Sequence, residues 1–247
     1  MNGDAVHTEN LCKRFGTFEV VRNLNLAVAP GEIFGFLGAN GAGKTTAIRM
    51  LCGLLLPSKG AGTVAGFDIW TETEKIKLNI GYMSQRFSLY NDLTLAQNIE
   101  FYAGIYGLDR AALNEKRVHL LASLGLTALA NRLTRDMPLG YKQRLALGCA
   151  LLHDPKIIFL DEPTAGVDPE ARRNFWELIY QLAEDGKTVF VTTHYMDEAE
   201  YCSRVSIMYQ GELIAVDTPT ALKKQFKQGT MEDVFIHLVD KDTSKPS

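Results

Sequence analysis

The 247-residue chain has no long hydrophobic run, no excess of basic charge and no closely paired cysteines. Its longest apolar stretches, such as LALGCALL, fall far short of the roughly 18 residues that cross a bilayer as a helix. A role at a membrane would need spanning helices from another chain or from a part of the protein beyond this sequence. The formal net charge is −3, with 26 Lys plus Arg against 29 Asp plus Glu, which gives duplex nucleic acid no electrostatic footing. Cys12, Cys52, Cys149 and Cys202 are widely separated and form no C-x-x-C pair. That spacing fits buried reduced thiols of a cytosolic protein better than a disulfide framework or a zinc site. The opening MNGDAVHTEN lacks the basic-then-apolar pattern of a secretory signal.

What remains is an ordinary globular composition, 46 % hydrophobic and 22 % charged, long enough for one large domain or a domain with a subdomain. The runs VHTENL, FEVVRNLNLAV and EIFGFL read as strands separated by Gly and Pro, and GTVAGFDI as a second β patch. From Thr94 to His153 apolar residues recur every three or four positions, which predicts helices. Strands and helices then alternate: KIIFL, the helix PEARRNFWELIYQLAED ending at Gly186, the strand KTVFVTT, a short helix MDEAEYC, and two strands joined at Gln210-Gly211. This order predicts an α/β core carrying a helical insert over roughly 87–153, with residues 241–247 a frayed tail.

GANGAGKTT fits the pattern G-x-x-x-x-G-K-[ST], with an apolar strand before it and a helical pattern after it. Glycines let successive backbone N–H groups curl around phosphates, and the helix N-terminus adds a favourable field. Gly38, Asn40, Gly41, Ala42, Gly43, Lys44, Thr45 and Thr46 are the cradle residues. Lys44 can reach terminal phosphates as a point charge, and the Thr45 hydroxyl can coordinate Mg²⁺.

Such a loop needs a carboxylate on a neighbouring strand to hold the metal through its water shell. KIIFLDEP supplies Asp161 after four apolar residues, with Glu162 placed to orient or deprotonate an attacking water. A D-E pair alone is more often a solvated turn; the buried-type strand and the upstream loop reverse that reading. His194, just beyond the strand KTVFVTT, stands where it can contact a γ-phosphate, although a lone histidine is more often a core or capping residue.

One stretch departs from this order. In RDMPLGYKQR, Gly140 opens a helix-like segment, but Pro138 and Leu139 stand where a capping hydroxyl usually begins one.

With these residues in hand, the chain resembles the nucleotide-binding cassette of ATP-binding-cassette (ABC) transporters along almost its whole length. GANGAGKTT matches Walker A, with Ala39 where proline is commoner, and IIFLDEP matches Walker B. TAGVD with Asp168 matches the D-loop, His194 the switch histidine, Gln85 the Q-loop glutamine and Phe15 the aromatic that stacks on adenine. GFLGANGAGKTT, SLYNDLTLAQNIEFYAGIYGL and TMEDVFIHLV look like the drug exporters of the ABC-2 type in bacteria. PLGYKQRLALGCALLHDPKIIFLDEPT looks like the second cassette of exporter ATPases that carry two in one chain.

The resemblance implies a P-loop NTPase core of the RecA-like kind, with an antiparallel β subdomain and an α-helical signature subdomain, all in one domain over 1–240. It implies ATP and Mg²⁺ as cofactors, Thr45, Gln85 and Asp161 around the metal, and Glu162, His194 and Lys44 as catalytic residues. It also implies a peripheral place on the cytoplasmic face of the bacterial inner membrane, with ABC-2-type permease subunits as partners and no nucleic acid. Phe87, Leu89, Tyr90, Asn91 and Asp92 are candidates for the permease contact, although their aromatics could equally serve subdomain packing.

In the family, two cassettes sandwich two ATP molecules, each site completed by the signature of the opposite cassette. Here the usual L-S-G-G becomes Met137, Pro138, Leu139 and Gly140, followed by Tyr141. The serine hydroxyl and first glycine are gone, and Pro138 removes a backbone donor. In a homodimer this would weaken both sites; in a heterodimer or tandem it would weaken only the partner's, so an asymmetric pair is favoured. Other readings stay open: a translation-factor-like ATPase without a permease, or a nucleotide-gated assembly module with little turnover. A nucleotide-monophosphate kinase has no reason to pair Asp161 with Glu162, and the spacing leaves no room for a coiled-coil arm.

Overall fold

The computed structural model describes residues 3–85 and 89–243. The chain opens with β1 (Val6–Phe15) and β2 (Phe18–Val28), an antiparallel pair joined through Gly16 in the left-handed region. There follow β3 (Ile33–Leu37), α1 (Lys44–Leu51), β4 (Lys59–Val64), β5 (Phe67–Asp68), α2 (Thr73–Asn79) and β6 (Ile80–Met83). Three helices come next: α3 (Leu95–Ile105), α4 (Arg110–Ser123) and α5 (Leu139–Leu151). The alternating part is β7 (Ile157–Asp161), α6 (Pro169–Glu184), β8 (Thr188–Thr193), β9 (Arg204–Tyr209) and β10 (Glu212–Asp217). It closes with α7 (Pro219–Phe226) and α8 (Met231–Thr243).

Two sheets result. A four-stranded antiparallel sheet has the order β2-β1-β4-β5, and a six-stranded sheet the order β10-β9-β3-β8-β7-β6. In the second, β9, β3, β8, β7 and β6 run parallel, and β10 is its antiparallel edge. Both faces of the parallel strands are covered, which is why IFGFL, IIFL and VFV read as continuous rather than alternating apolar runs. Phe34, Phe36, Phe159 and Phe190 point to one face, into the core shared with α1 and the antiparallel sheet. Ile158, Leu160, Val189 and Val191 point to the other, against Phe175, Trp176 and Ile179 of α6. Phe159 stacks on Phe190 with centroids 4.7 Å apart, and Phe190 on Phe36 at 6.1 Å. Each such ring, removed from water, contributes about 1.5–3 kcal/mol. This aromatic layer fixes the carboxyl ends of β3, β7 and β8 side by side, and the site lies there.

The helices α3 and α5 share a separate core of Leu95, Ile99, Ala103, Leu145 and Cys149, joined by Leu121, Leu124 and Leu126. At Gly148 a Cβ would lie 2.5 Å from Leu124 Cδ1 and 3.1 Å from Leu120 Cδ2, so a larger residue would make these leucine side chains shift. Asn98, fully buried on α3, staples the incoming loop. Its Nδ2 donates to the carbonyls of Tyr90 and Thr94 and to Thr134 Oγ1, and its Oδ1 accepts from Tyr90 N–H. Thr94 caps α3 in a reciprocal capping box with Gln97.

Several sequence expectations are corrected. The segment expected to open at Gly140 is helical from Leu139, because the carbonyl of Pro138 already accepts from the N–H groups of Tyr141 and Lys142. Gly140 serves instead a close packing: a Cβ there would sit 3.0 Å from Ala171 Cβ. The short helix expected at MDEAEYC is present as a 3₁₀ helix over Met196–Tyr201. The first strand continues past VHTENL to Phe15, through register shifts between Thr8 and Arg14. The helix α8 runs through 241–243, where fraying was expected, and α2 had no counterpart in the sequence pattern. The Gln210-Gly211 turn is as expected, both residues having positive φ, the geometry of a tight hairpin that matches strand twist.

Candidate functional site

The carboxyl end of β3 feeds Gly38 directly into the glycine-rich loop, and α1 begins at Lys44. Gly43 precedes the helix at φ 107°, and a Cβ on it would meet the Val20 carbonyl at 2.8 Å. Both facts demand glycine. The loop borders a cavity of about 280 Å³ lined by Val20, Asn40, Gly41, Gly43, Lys44, Thr45, Thr46, Gln85 and Glu162.

Lys44 is 5 % exposed, and its Nζ donates to the carbonyls of Gly38 at 2.7 Å and Ala39 at 3.2 Å. Glu162 Oε1 lies 3.6 Å away. Desolvation lowers the ammonium pKa from its ordinary value, partly opposed by the charges of Glu162 and Asp161.

At the end of β7, Asp161 is 1 % exposed, and its Oδ1 accepts from Thr45 Oγ1 at 3.1 Å and from Thr192 Oγ1 at 2.7 Å. Burial raises this carboxyl pKa, while the hydroxyls of Thr192 and Thr45 pull it back. Glu162 follows with φ +50°, uncommon for a residue with a side chain. Its N–H donates to Thr192 Oγ1 at 2.8 Å. The turn swings the carboxylate away from Asp161 and into a ring of three partners. Lys44 faces Oε1, Gln85 Nε2 donates to Oε2 at 2.9 Å, and His194 Nδ1 lies 3.3 Å from the same oxygen.

Lys44, Thr45, Asp161, Glu162, Gln85 and His194 therefore meet at one point, from four different elements. Other sequence candidates lie apart. Phe15 is 51 % exposed at the end of β1, under the Lys13 ammonium and opposite Phe18, and is not part of the cavity lining. Asp168 caps α6, its Oδ1 accepting from Ala171 N–H at 2.9 Å. Pro138, Leu139, Gly140 and Tyr141 line no part of the cavity; Pro138 caps α5 without a side-chain hydrogen bond. Of the candidate permease contacts, Phe87 lies outside the described residues. Leu89 packs on the α3–α5 core, the Tyr90 ring stands edge-on to Phe101 at 4.4 Å, Asn91 accepts from Arg135 N–H, and Asp92 pairs with Arg135 at 2.9 Å.

Sequence reasoning missed Val20, whose carbonyl closes over Gly43, and Thr192 within β8. It also missed a buried brace in which Thr164 Oγ1 donates to Glu198 Oε1 at 2.5 Å, with Arg172 Nε 3.6 Å from the same oxygen. Only Thr192 had a signal: a hydroxyl in a buried strand, directly after Val189, Phe190 and Val191, needs a partner.

The chemistry of the site fits ATP with Mg²⁺. A polar cavity at a helix N-terminus with one buried ammonium suits polyphosphate. The Thr45 hydroxyl beside the Asp161 carboxylate is a hard-oxygen donor set of the kind Mg²⁺ takes.

Fold and cradle together define a P-loop nucleotide-binding cassette. The ABC transporter family matches residues 21–165. Over 239 residues the chain is 49 % identical to the probable multidrug ABC transporter ATP-binding protein YbhF of Escherichia coli, covering 95 % of this chain and 41 % of that protein. Over 218 residues it is 40 % identical to the linearmycin resistance ATP-binding protein LnrL of Bacillus subtilis, covering 88 % of this chain and 70 % of LnrL. Among solved structures, a dimeric ATP-binding cassette in a post-hydrolysis state bound to ADP and Pi superposes with a TM-score of 0.78 at 27 % identity, covering 86 % of this chain and 98 % of that one. The chain belongs to the ABC transporter family. Among its described residues no helix is long and apolar enough to cross a membrane.

Proposed function

We propose that the chain is the ATP-binding and ATP-hydrolysing part of an exporter for drugs or other small molecules, acting on a separate ABC-2-type membrane permease at the cytoplasmic face of the membrane. The observation that carries hydrolysis is the convergence of Lys44, Gln85 and His194 on the Glu162 carboxylate, beside the Thr45–Asp161 pair. Thr45 directly and Asp161 through water would hold Mg²⁺, which supplies charge neutralisation at the phosphates. The backbone of residues 40–46 and Lys44 bind the phosphate chain. Glu162 takes the proton of the attacking water, Gln85 and His194 hold that carboxylate and the water in line, and Phe15 stacks on the base. Export is supported by the drug-resistance names of YbhF and LnrL.

The partner cassette is part of the same reading. The sequence keeps the Walker A, Walker B, Q-loop and switch residues that the family resemblance calls for, whereas its signature segment has lost the serine and one glycine. An asymmetric pair, by heterodimer or tandem, reconciles the two: this chain's Walker residues work with the partner's intact signature. That YbhF is more than twice as long as the matched part leaves room for a tandem arrangement. The test is co-purification with the products of neighbouring genes, with ATPase assayed for the chain alone and in complex. Strong stimulation by a second cassette or a permease is expected; equal activity alone and in every complex would overturn the asymmetric assignment.

A further inference from the structure

We infer that Thr192 is a positioning residue for hydrolysis, one hydroxyl that sets both the metal-binding carboxylate and the general base; this rests on the hydrolytic reading above. Thr192 lies in β8, directly opposite Asp161 in the parallel pairing of β7 and β8. It is wholly buried, with Val189, Phe190 and Val191 preceding it in the strand. Valine has nearly the same shape and suits a buried strand better, so a hydroxyl here is tolerated only because it is bonded.

Both of its bonds go to the catalytic strand end. Oγ1 donates its only hydrogen to Asp161 Oδ1 at 2.7 Å and accepts the Glu162 N–H at 2.8 Å. The first bond fixes the rotation of the carboxylate that Thr45 also contacts. The second anchors the peptide at which the chain enters its left-handed turn, φ +50° at Glu162. Without that anchor the Glu162 backbone would relax towards ordinary strand values, and its carboxylate would leave Lys44, Gln85 and His194. His194 follows Thr193, the last residue of β8, so the strand that carries the anchor also leads directly into the third partner of the carboxylate. Thr192 touches neither the phosphate cradle nor the cavity, and therefore acts only through its neighbours.

The experiment compares Thr192→Val, which keeps shape and loses the hydroxyl, with Thr192→Ser, which keeps the hydroxyl. Each is assayed in the complex in which the wild type is active. For Thr192→Val we expect kcat to fall ~10-fold or more with KM for ATP little changed. The Mg²⁺ concentration giving half-maximal ATP binding should rise several-fold, while affinity for ATP in EDTA stays at the wild-type level. Thr192→Ser should recover most of the kcat and the Mg²⁺ dependence. Wild-type kcat and Mg²⁺ dependence in Thr192→Val, or a Ser variant as impaired as the Val variant, would overturn the assignment. So would an equal loss of ATP affinity in EDTA, which marks general damage to the loop. If Thr192→Val does not fold, Thr192→Ala against Thr192→Ser gives the same comparison. If the wild type binds ATP but hydrolyses none, the functional reading fails by itself, and the Mg²⁺ arm still decides whether Thr192 sets Asp161.

Discussion

Gln85 Nε2 donates a 2.9 Å hydrogen bond to Glu162 Oε2. The bond joins the chain just beyond β6 to the residue that follows β7. Gln85 is exposed, whereas the Glu162 side chain is only 8 % exposed.

Replacing Glu162 by Gln keeps the shape of the side chain and removes the negative charge that Lys44 and His194 face. ATP should bind as well as before or more tightly, while hydrolysis slows ~10²-fold or more. Nucleotide binding and single-turnover phosphate release check this. Near-normal turnover would remove Glu162 as the base.

Asp161 gives a pH-dependent prediction. Burial raises its carboxyl pKa above the unfolded value, so the fold gains stability from protonating it at low pH and loses that gain as pH rises through the folded value. At neutral pH the wild type therefore carries a cost that Asp161→Asn lacks. The asparagine Oδ1 can still accept from Thr45 and Thr192. Asp161→Asn should melt higher than the wild type near neutral pH. The gap should close on acidification through the carboxylate range, and the extra stabilisation given by Mg²⁺ with ATP should disappear. Thermal melts across pH, with and without MgATP, read all three.

Much of this was legible in the sequence because it rests on local backbone chemistry. The glycines of the loop announce the cradle, and Asp161 at the end of a buried run announces the metal side. The parallel strands were visible as unbroken apolar runs, since both their faces are covered. What stayed hidden depends on contacts between distant segments. Thr192 meets Asp161 through strand pairing, Val20 reaches Gly43 from another sheet, and Glu198 meets Thr164 and Arg172 from an irregular 3₁₀ turn. The helix begins at Leu139 rather than Gly140 because the Pro138 carbonyl accepts its first helical hydrogen bonds, and a backbone carbonyl leaves no mark in a sequence.

Asn98 holds the loop that follows the site. Its amide makes four hydrogen bonds at 3.1 Å or less, two with the backbone of Tyr90, one with the carbonyl of Thr94 and one with Thr134. Asn98→Ala takes the partner from Tyr90 N–H and Thr134 Oγ1, while the carbonyls of Tyr90 and Thr94 keep the N–H groups of Leu93 and of residue 98, and should cost about 1–3 kcal/mol. Hydrogen exchange should rise at Tyr90 and Thr134 while the strands β3, β7 and β8 stay protected. ATP binding should be retained, but stimulation by a permease should fall, because the proposed contact surface at Leu89–Asp92 is no longer held. Unchanged exchange at Tyr90 would count against this reading of Asn98.

The signature segment gives the sharpest contrast. Pro138 caps α5 with no side-chain hydrogen bond, and Leu139 is 37 % exposed, so neither is essential to the core. Restoring serine at 138 and glycine at 139 supplies a capping hydroxyl, a backbone N–H that proline lacks, and room for a phosphate. Serine for proline at this cap should leave folding intact or stabilise it by about 1 kcal/mol. The double variant, Pro138→Ser with Leu139→Gly, should raise ATPase of the purified chain alone ~10-fold or more, because each composite site of a homodimer then receives a complete signature. In complex with a second cassette the gain should be far smaller, since there the site served by this chain's Walker residues already has the partner's signature. A wild-type homodimer as active as the double variant would mean that Pro138 and Leu139 do not limit turnover, and the asymmetric pair would lose its basis.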